Sequence, residues 1–277
     1  EGLFSFLRPS KNGGEKMNDL SGGTNVFTQV RERNPLIHCI TNYVAANLQA
    51  NGLLAIGASP VMADGPDEVE EIIKAASALS INIGTLNPQM RTAMLKAGRA
   101  ANVREIPVLL DPVAVGAALY RKDTVRELLD EVHVDAIRCN VGELAALSGT
   151  AWEQKGVDSG TGTIDLEEEA KKVALKYECL VIVTGERDYL TDGVEGRWVS
   201  GGHPIITQVT GSGCLLSSVC TALLAVHTEN RLDRIAEGLS LYKRASEEAY
   251  QQSSTPASFQ AAFLDQLFIQ ANGRVEA

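Results

Sequence analysis

The sequence predicts an α/β protein built on a mostly parallel central sheet, with helices on both faces and a short antiparallel edge. Three features carry that prediction. Short apolar runs alternate with helix-length segments from Pro35 to Thr184, the pattern of successive βαβ units. Runs such as Val108-Leu109-Leu110 and Leu180-Val181-Ile182-Val183 are continuously apolar, as strands buried on both faces are. Between Tyr189 and Gln208 the rhythm breaks, and Asp192-Gly193 and Gly201-Gly202 punctuate two or three short runs, as at a hairpin edge.

Taken in order, Leu36-Ile37-His38-Cys39-Ile40 reads as a strand that stops at Thr41-Asn42. Tyr43 to Ile56 reads as a helix with Val44, Leu48 and Leu54 among its apolar positions, and Ala58 to Met62 as a second strand. Pro66-Asp67-Glu68 places proline and acids where a helix starts. Leu79 to Ile83 is a strand ended by Gly84-Thr85, and a helix follows from about Pro88 to Ala101. The buried strand Val108-Leu109-Leu110 runs into Asp111-Pro112, then Asp123 to Val132 is helical. Val134 to Arg138 is a strand ending at Cys139-Asn140, and a short helix carries Glu143 and Leu144. Gly160-Thr161-Gly162-Thr163 reads as a loop, Leu166 to Tyr177 as a charged amphipathic helix, and Leu180 to Val183 as a strand stopping at Thr184-Gly185. Three helices close the chain: Ser212 to Val226, Asp233 to Gln251, and Ser258 to about Gln270.

No repeat or linker divides residues 25–277, so one domain is expected there. Residues 1–24, with Pro9, Gly13-Gly14 and Gly22-Gly23, read as a tail. Met17 is a candidate native start, with the preceding segment an appended remnant; a disordered natural extension is the alternative. The net charge of −10 leaves no basic excess to neutralise phosphates, so no nucleic-acid partner is expected. No apolar run reaches the ~18 residues of a membrane span, so no membrane partner is expected either. The five cysteines show no CxxC spacing and the four histidines are scattered. That pattern predicts neither a disulfide framework nor a zinc site, and points to a reducing, cytoplasmic setting.

In open α/β sheets ligands bind outside the carboxyl ends of the strands. Here those ends are Thr41-Asn42, Met62-Ala63-Asp64, Gly84-Thr85, Asp111-Pro112, Arg138-Cys139-Asn140 and Thr184-Gly185. Turns favour such residues anyway, yet Asp111, Arg138 and Glu143 at one edge suggest a site. Thr210-Gly211-Ser212-Gly213-Cys214 then opens an almost wholly apolar helix. The first amides of a helix lack acceptors and carry its positive dipole end. Gly211 and Gly213 let another group approach the backbone. Together these make an anion hole suited to phosphoryl transfer, or, more plainly, a tight turn into a packed helix. The Walker lysine and the Rossmann spacing are both absent.

"VTGSGCLL" resembles the glycine-rich anion-hole signature of the ribokinase-like superfamily, and its cysteine resembles that of the hydroxyethylthiazole kinases of thiamine salvage. "NPLIHCITNYVAANLQANGLLAIGASPVMAD" is similar to that family's N-terminal block. "INIGTL", "LDPV", "AIRCNVGEL" and "VIVTGERD" are similar to its later segments, so the resemblance spans about Asn34 to Ser258. It implies a single-domain ribokinase-like fold and ATP- and Mg²⁺-dependent phosphorylation of the hydroxyl of 5-(2-hydroxyethyl)-4-methylthiazole. By the same resemblance Asn42, Met62 and Gly211 contact the thiazole alcohol. Arg138, Thr184 and Gly213 bind the nucleotide and its phosphates, and Asp111 and Glu143 hold Mg²⁺ directly or through water. Cys214 stands where sugar kinases of the superfamily place an aspartate base. The resemblance also implies a homotrimer with sites near subunit boundaries. Three departures flank the phosphate and metal region: Cys139 for the usual glycine, Ala114-Val115 for Gly-Ala or Gly-Tyr, and Val141-Gly142 before Glu143.

Two rival readings stay open. One is a superfamily kinase acting on hydroxymethylpyrimidine or a sugar; the other is a nucleotide-binding regulator without turnover. For Cys214, the helix N-terminus lowers a thiol's pKa and nearby polyphosphate raises it. A thiol that orients the substrate hydroxyl, or acts as a weak base, is expected there.

Overall fold

The computed structural model describes residues 25–150, 153–155, 159–161 and 164–273. The expected tail over residues 1–24 lies outside them. The described chain opens with a helix that no strand–helix alternation predicted, α1 (Val26–Arg33). Asn25 caps it, its side chain accepting from the amides of Phe27 and Thr28, and Val26, Phe27 and Val30 are buried. Then come β1 (Leu36–Ile40), α2 (Ala46–Ile56), β2 (Ser59–Met62), α3 (Val69–Ile73), β3 (Ala78–Asn82), α4 (Pro88–Val103), β4 (Val108–Asp111) and α5 (Leu119–Glu131). They are followed by β5 (Ala136–Asn140), α6 (Val141–Ser148), β6 (Glu153–Lys155), β7 (Ser159–Thr161), α7 (Leu166–Tyr177) and β8 (Leu180–Thr184). The last elements are β9 (Asp188–Thr191), β10 (Gly196–Val199), α8 (Ser212–Val226), α9 (Arg231–Gln252) and α10 (Pro256–Asn272).

Eight strands form one sheet in the order β10-β9-β8-β5-β4-β3-β1-β2. The six from β2 to β8 run parallel, and β8-β9 and β9-β10 pair antiparallel. The expected antiparallel edge is therefore a two-stranded addition, followed by a 3₁₀ turn over Pro204–Gln208. One expectation fails: Gly160 and Thr161 belong to β7, which pairs antiparallel with β6 as a separate small sheet. Residues 162 and 163 lie outside the described residues. Helix α2 also starts three residues later than expected. The Asn42 side-chain oxygen takes the Ala45 amide (2.9 Å), so residues 43–45 make a turn first.

Each face of the sheet has its own core. Alternate strand positions such as Ile37, Cys39, Leu109 and Ile182 pack under α1, α2, α8, α9 and α10. Ile40, Leu79, Ile81, Leu110 and Val181 face the other way, under α3, α4, α5, α6 and α7. Because β1 lies between β2 and β3, the loop after β1 leads to α2 on one face and the loop after β3 to α4 on the other. That divergence opens the crevice where ligands bind in such sheets. The central helix α8 crosses above β3, β4 and β1 and buries every residue from Leu215 to Leu224.

Candidate active site

The strand ends named from the sequence are linked by one hydrogen-bonded chain. Asn42, just past β1 and 5% exposed, donates from Nδ2 to Asn82 Oδ1 (2.8 Å) and to Cys214 Sγ (3.4 Å). Asn82, the last residue of β3, donates from Nδ2 to Asp111 Oδ2 (2.7 Å) and accepts the Gly84 amide (2.9 Å). Asp111, the last residue of β4, also accepts from Ser217 Oγ (2.7 Å) and stands 3.9 Å from Arg138 Nη1. Arg138 donates from Nη2 to Thr184 Oγ1, and that hydroxyl donates to the Cys139 carbonyl (3.3 Å). Five strands and α8 thus contribute to one polar line, buried at Asn42, Asn82, Asp111 and Ser217 and half-buried at Cys214, Arg138 and Thr184.

Two members of that line were missed by sequence reasoning. Asn82 sits in the quoted "INIGTL" yet looked like an ordinary strand end. Ser217 is one helical turn beyond Cys214 on α8, and with Ser218 and Thr221 it forms a polar stripe in an otherwise apolar helix. That stripe was the available signal. Met62 stands apart from the line. It ends the outermost strand β2, is 37% exposed, and pairs in register with Cys39. Just beyond it His38 Nε2 meets the Ala63 carbonyl at 2.8 Å.

Other groups do approach the backbone at the two glycines, and two of them belong to the chain itself. Gly211 has φ +89, and a Cβ there would lie 2.9 Å from Ala45 Cβ. A Cβ on Gly213 would lie 2.9 Å from both terminal nitrogens of Arg138. The guanidinium therefore rests on the first turn of α8. No side chain caps that turn; the Val209 carbonyl takes the Ser212 amide (3.2 Å), and the Gly213 and Cys214 amides that follow are the ones placed to meet an anion, as the dipole favours.

The electrostatics follow from burial beside charge. Burial pushes the Asp111 carboxyl up against the pull of Arg138, Ser217 and Asn82. Burial and the Asp111 charge push Glu143 up to about 7, against Arg138 and two backbone amides. Burial opposes the Arg138 charge, but Asp111 and Glu143 hold its pKa above the ordinary value. Burial and Asp111 raise the Cys214 thiol to about 11, outweighing Arg138 and the Asn42 hydrogen bond. Burial beside Asp111 thus works against the lowering that a helix N-terminus by itself would give a thiol.

Glu143 is also tied into the backbone. It is the third residue of α6 and closes a capping box: Asn140 Oδ1 accepts the Glu143 amide (2.8 Å) and Glu143 Oε2 accepts the Asn140 amide (2.9 Å). Its Oε1 accepts the Ala114 amide (2.8 Å). Ala114 has φ 54, the left-handed region in which a glycine would be unstrained. The departures at Ala114 and Cys139 are thereby placed. The first bears local strain on the loop after β4, and the second points its thiol into the core under α6 while its carbonyl holds Thr184.

Asp111 Oδ1 is buried with no hydrogen-bond partner. An orphaned carboxylate oxygen in that polar line fits a cation ligand. Among the described residues no group of three or more His, Cys, Asp or Glu side chains could hold a metal ion alone. This donor set suits Mg²⁺, which commonly takes one or two carboxylates and completes its shell with waters and substrate phosphates. A cavity of about 390 Å³ lies between Val44, Asn47 and Leu48, the Gln208-Val209-Thr210 segment and the start of α10. Its lining reaches Thr210 and includes no member of the polar line.

Comparison with known proteins gives one family. The profile described as "Hydroxyethylthiazole kinase family" matches residues 27–272. A hydroxyethylthiazole kinase of Lysinibacillus sphaericus is 54% identical over 242 residues, covering 87% of this chain and 94% of that protein. The solved structure of a hydroxyethylthiazole kinase protein from Pyrococcus horikoshii superposes with a TM-score of 0.80 at 38% identity, covering 88% of this chain and 91% of that one. A ribokinase-like superfamily protein from Enterococcus faecalis superposes with a TM-score of 0.61 at 12% identity, covering 96% and 92%. That last likeness concerns the fold alone.

Proposed function

The chain belongs to the hydroxyethylthiazole kinase family, and from that membership we propose that it transfers the γ-phosphoryl group of ATP to the hydroxyl of 5-(2-hydroxyethyl)-4-methylthiazole, a thiamine salvage step. The observation that carries the reading beyond family membership is the polar line from Cys214 through Asn42, Asn82 and Asp111 to Arg138 and Thr184. It joins an alcohol-facing end to a phosphate-facing end.

In this reading the thiazole alcohol lies against Asn42, Met62 and the Gly211 backbone, with its hydroxyl at Cys214. Arg138 and Thr184 hold the nucleotide phosphates, and the uncapped amides of α8 from Gly213 onward face the transferring group. The hydroxyl oxygen forms a bond to the γ-phosphorus as the bridging oxygen of ADP departs, and the hydroxyl proton is released. The transition state is loose, so orientation and charge neutralisation supply most of the rate. Asp111 through its orphaned oxygen, with Glu143 directly or through water, would hold Mg²⁺, which when bound screens the polyphosphate charge. A steady-state assay coupled to ADP release tests the proposal: ADP production rises on adding the alcohol with MgATP. No rise at millimolar substrates with folded protein rejects it. ATP binding without that rise favours the regulator reading, and a better response to hydroxymethylpyrimidine or a sugar favours the other kinases.

Cys214 is an orienting thiol in this scheme. With a pKa near 11 it is protonated at neutral pH and can hydrogen-bond the hydroxyl while accepting from Asn42. Cys214→Ala is expected to fold normally and lose at least tenfold in kcat, about 1.4 kcal/mol. Cys214→Asp should retain more activity than the alanine variant. Aspartate falling below alanine sinks the role.

Tyr43, Val44 and Met62 are 80%, 55% and 37% exposed around the alcohol-facing end. Apolar side chains left open at a site rim favour cover by another copy of the chain, which supports the homotrimer with sites near subunit boundaries. Light scattering should give three times the chain mass; a monomer mass at micromolar concentration refutes it. The described residues include no helix long and apolar enough to cross a membrane, and all five cysteines are free. A reducing cytoplasm is the compartment this chemistry suits.

A further inference from the structure

Arg121 lies in the first turn of α5 and forms no ion pair among the described residues. A cation at a helix N-terminus is opposed by the dipole, so another interaction must favour it there. Its guanidinium donates to three backbone carbonyls: Nη1 to Ile83 O (2.7 Å) and Val113 O (2.8 Å), and Nη2 to Gly84 O (2.6 Å). Ile83 and Gly84 directly follow Asn82, and Val113 is two residues past Asp111. One side chain thus ties the loop after β3 to the loop after β4.

Each loop carries part of the site. On the β3 side, a Cβ on Gly84 would lie 2.8 Å from Asn42 Cβ, so this loop backs directly onto Asn42. Thr85 Oγ1 accepts the Tyr43 amide (3.3 Å). On the β4 side, the Ala114 amide is taken by Glu143, while Arg121 takes the adjoining Val113 carbonyl. The Asn82–Asp111 hydrogen bond spans the same two strands. The three hydrogen bonds of Arg121 reach neither Arg138, on the neighbouring strand β5, nor Thr184, on β8 beyond it.

We propose that Arg121 is a positioning residue: it fixes the β3 and β4 loops in one register, and so sets the seat of the alcohol and of Mg²⁺ without setting nucleotide affinity. This rests on the kinase reading above for its kinetic consequences, but the clamp itself does not. A planar fork is required, since a lysine ammonium cannot serve both loops with the same geometry.

The test compares Arg121→Lys and Arg121→Ala with the parent chain. Both variants should show at least tenfold higher KM for the thiazole alcohol and a tenfold higher Mg²⁺ requirement. The Kd of ADP measured without Mg²⁺ should stay within twofold. Millimolar guanidinium should restore part of the alanine variant's activity and none of the lysine variant's. Hydrogen exchange should speed up at residues 83–86 and 113–116 in both, with or without any turnover. That arm separates failure of the clamp from failure of the kinase reading, because a parent chain inactive on the alcohol would still show it. Unchanged exchange, a lysine variant with parental kinetics, or an ADP affinity that falls in step with the alcohol each overturns the proposal. So does failure of both variants to fold, which would make Arg121 a stability residue.

Discussion

Asp111→Asn should lower kcat by 10²-fold or more, on the order of 3 kcal/mol, while the melting temperature moves by no more than a few degrees. The asymmetry of the carboxylate is the reason. Oδ2 accepts from Asn82 and Ser217, whereas Oδ1 is buried without a partner. An asparagine can put its carbonyl oxygen where Oδ2 was and its amide nitrogen where Oδ1 was. Both accepted hydrogen bonds then survive, and the desolvated charge is gone. What is lost is the negative oxygen that would bind Mg²⁺ and the partner of Arg138 at 3.9 Å. A kcat and a melting curve on the same preparation check this. Near-parental turnover at limiting Mg²⁺ would show that Asp111 only ties strand ends together. A large loss of melting temperature would show that its charge mainly stabilises the fold.

Glu143→Gln should behave differently, losing both activity and stability. Both carboxylate oxygens accept backbone amides, Oε1 from Ala114 and Oε2 from Asn140. A glutamine has one acceptor oxygen and one NH₂, so in either orientation a donor faces a backbone N–H. Leaving such a buried donor unsatisfied costs about 1–3 kcal/mol. For a chain of this size that is a fall of roughly 2–4 °C in Tm for each kcal/mol. The Asn140 capping box and the left-handed Ala114 loop both loosen, so turnover should drop at least tenfold. From sequence alone the two acids look alike and both substitutions would be expected to spare stability; the structure parts them. Calorimetry on the two variants side by side decides the point, and equal melting temperatures would refute the assigned roles of the two Glu143 oxygens.

Much of the fold was legible because its signals are local. Apolar period, Pro and Gly punctuation and strand-end polarity identified most of the parallel strands and the final helices, and α8 begins and ends where expected, at Ser212 and Val226. What escaped had weak local signal or a long-range cause. Helix α1 lies before the first expected strand and is anchored by Asn25 and burial under α8 and α10. Strand β7 overlaps the Gly160–Thr163 stretch that reads as loop, because three-residue strands such as β6 and β7 give too little period to detect.

The site divides the same way. Residue types at strand ends, together with "VTGSGCLL", determined from sequence which groups to suspect: Asn42, Asp111, Arg138, Glu143, Thr184 and Cys214. Only the tertiary structure decided how they connect. Asn82 and Ser217 complete the line through partners 29 and 106 residues away, separations across which no periodicity carries information. Arg121 looks like any surface arginine until β3 and β4 lie side by side beneath it. The state of Cys214 likewise belongs to the fold. A helix start predicts a lowered thiol pKa, but burial beside Asp111 raises it, because desolvation depends on what packs around a group and not on the residues that flank it in the chain.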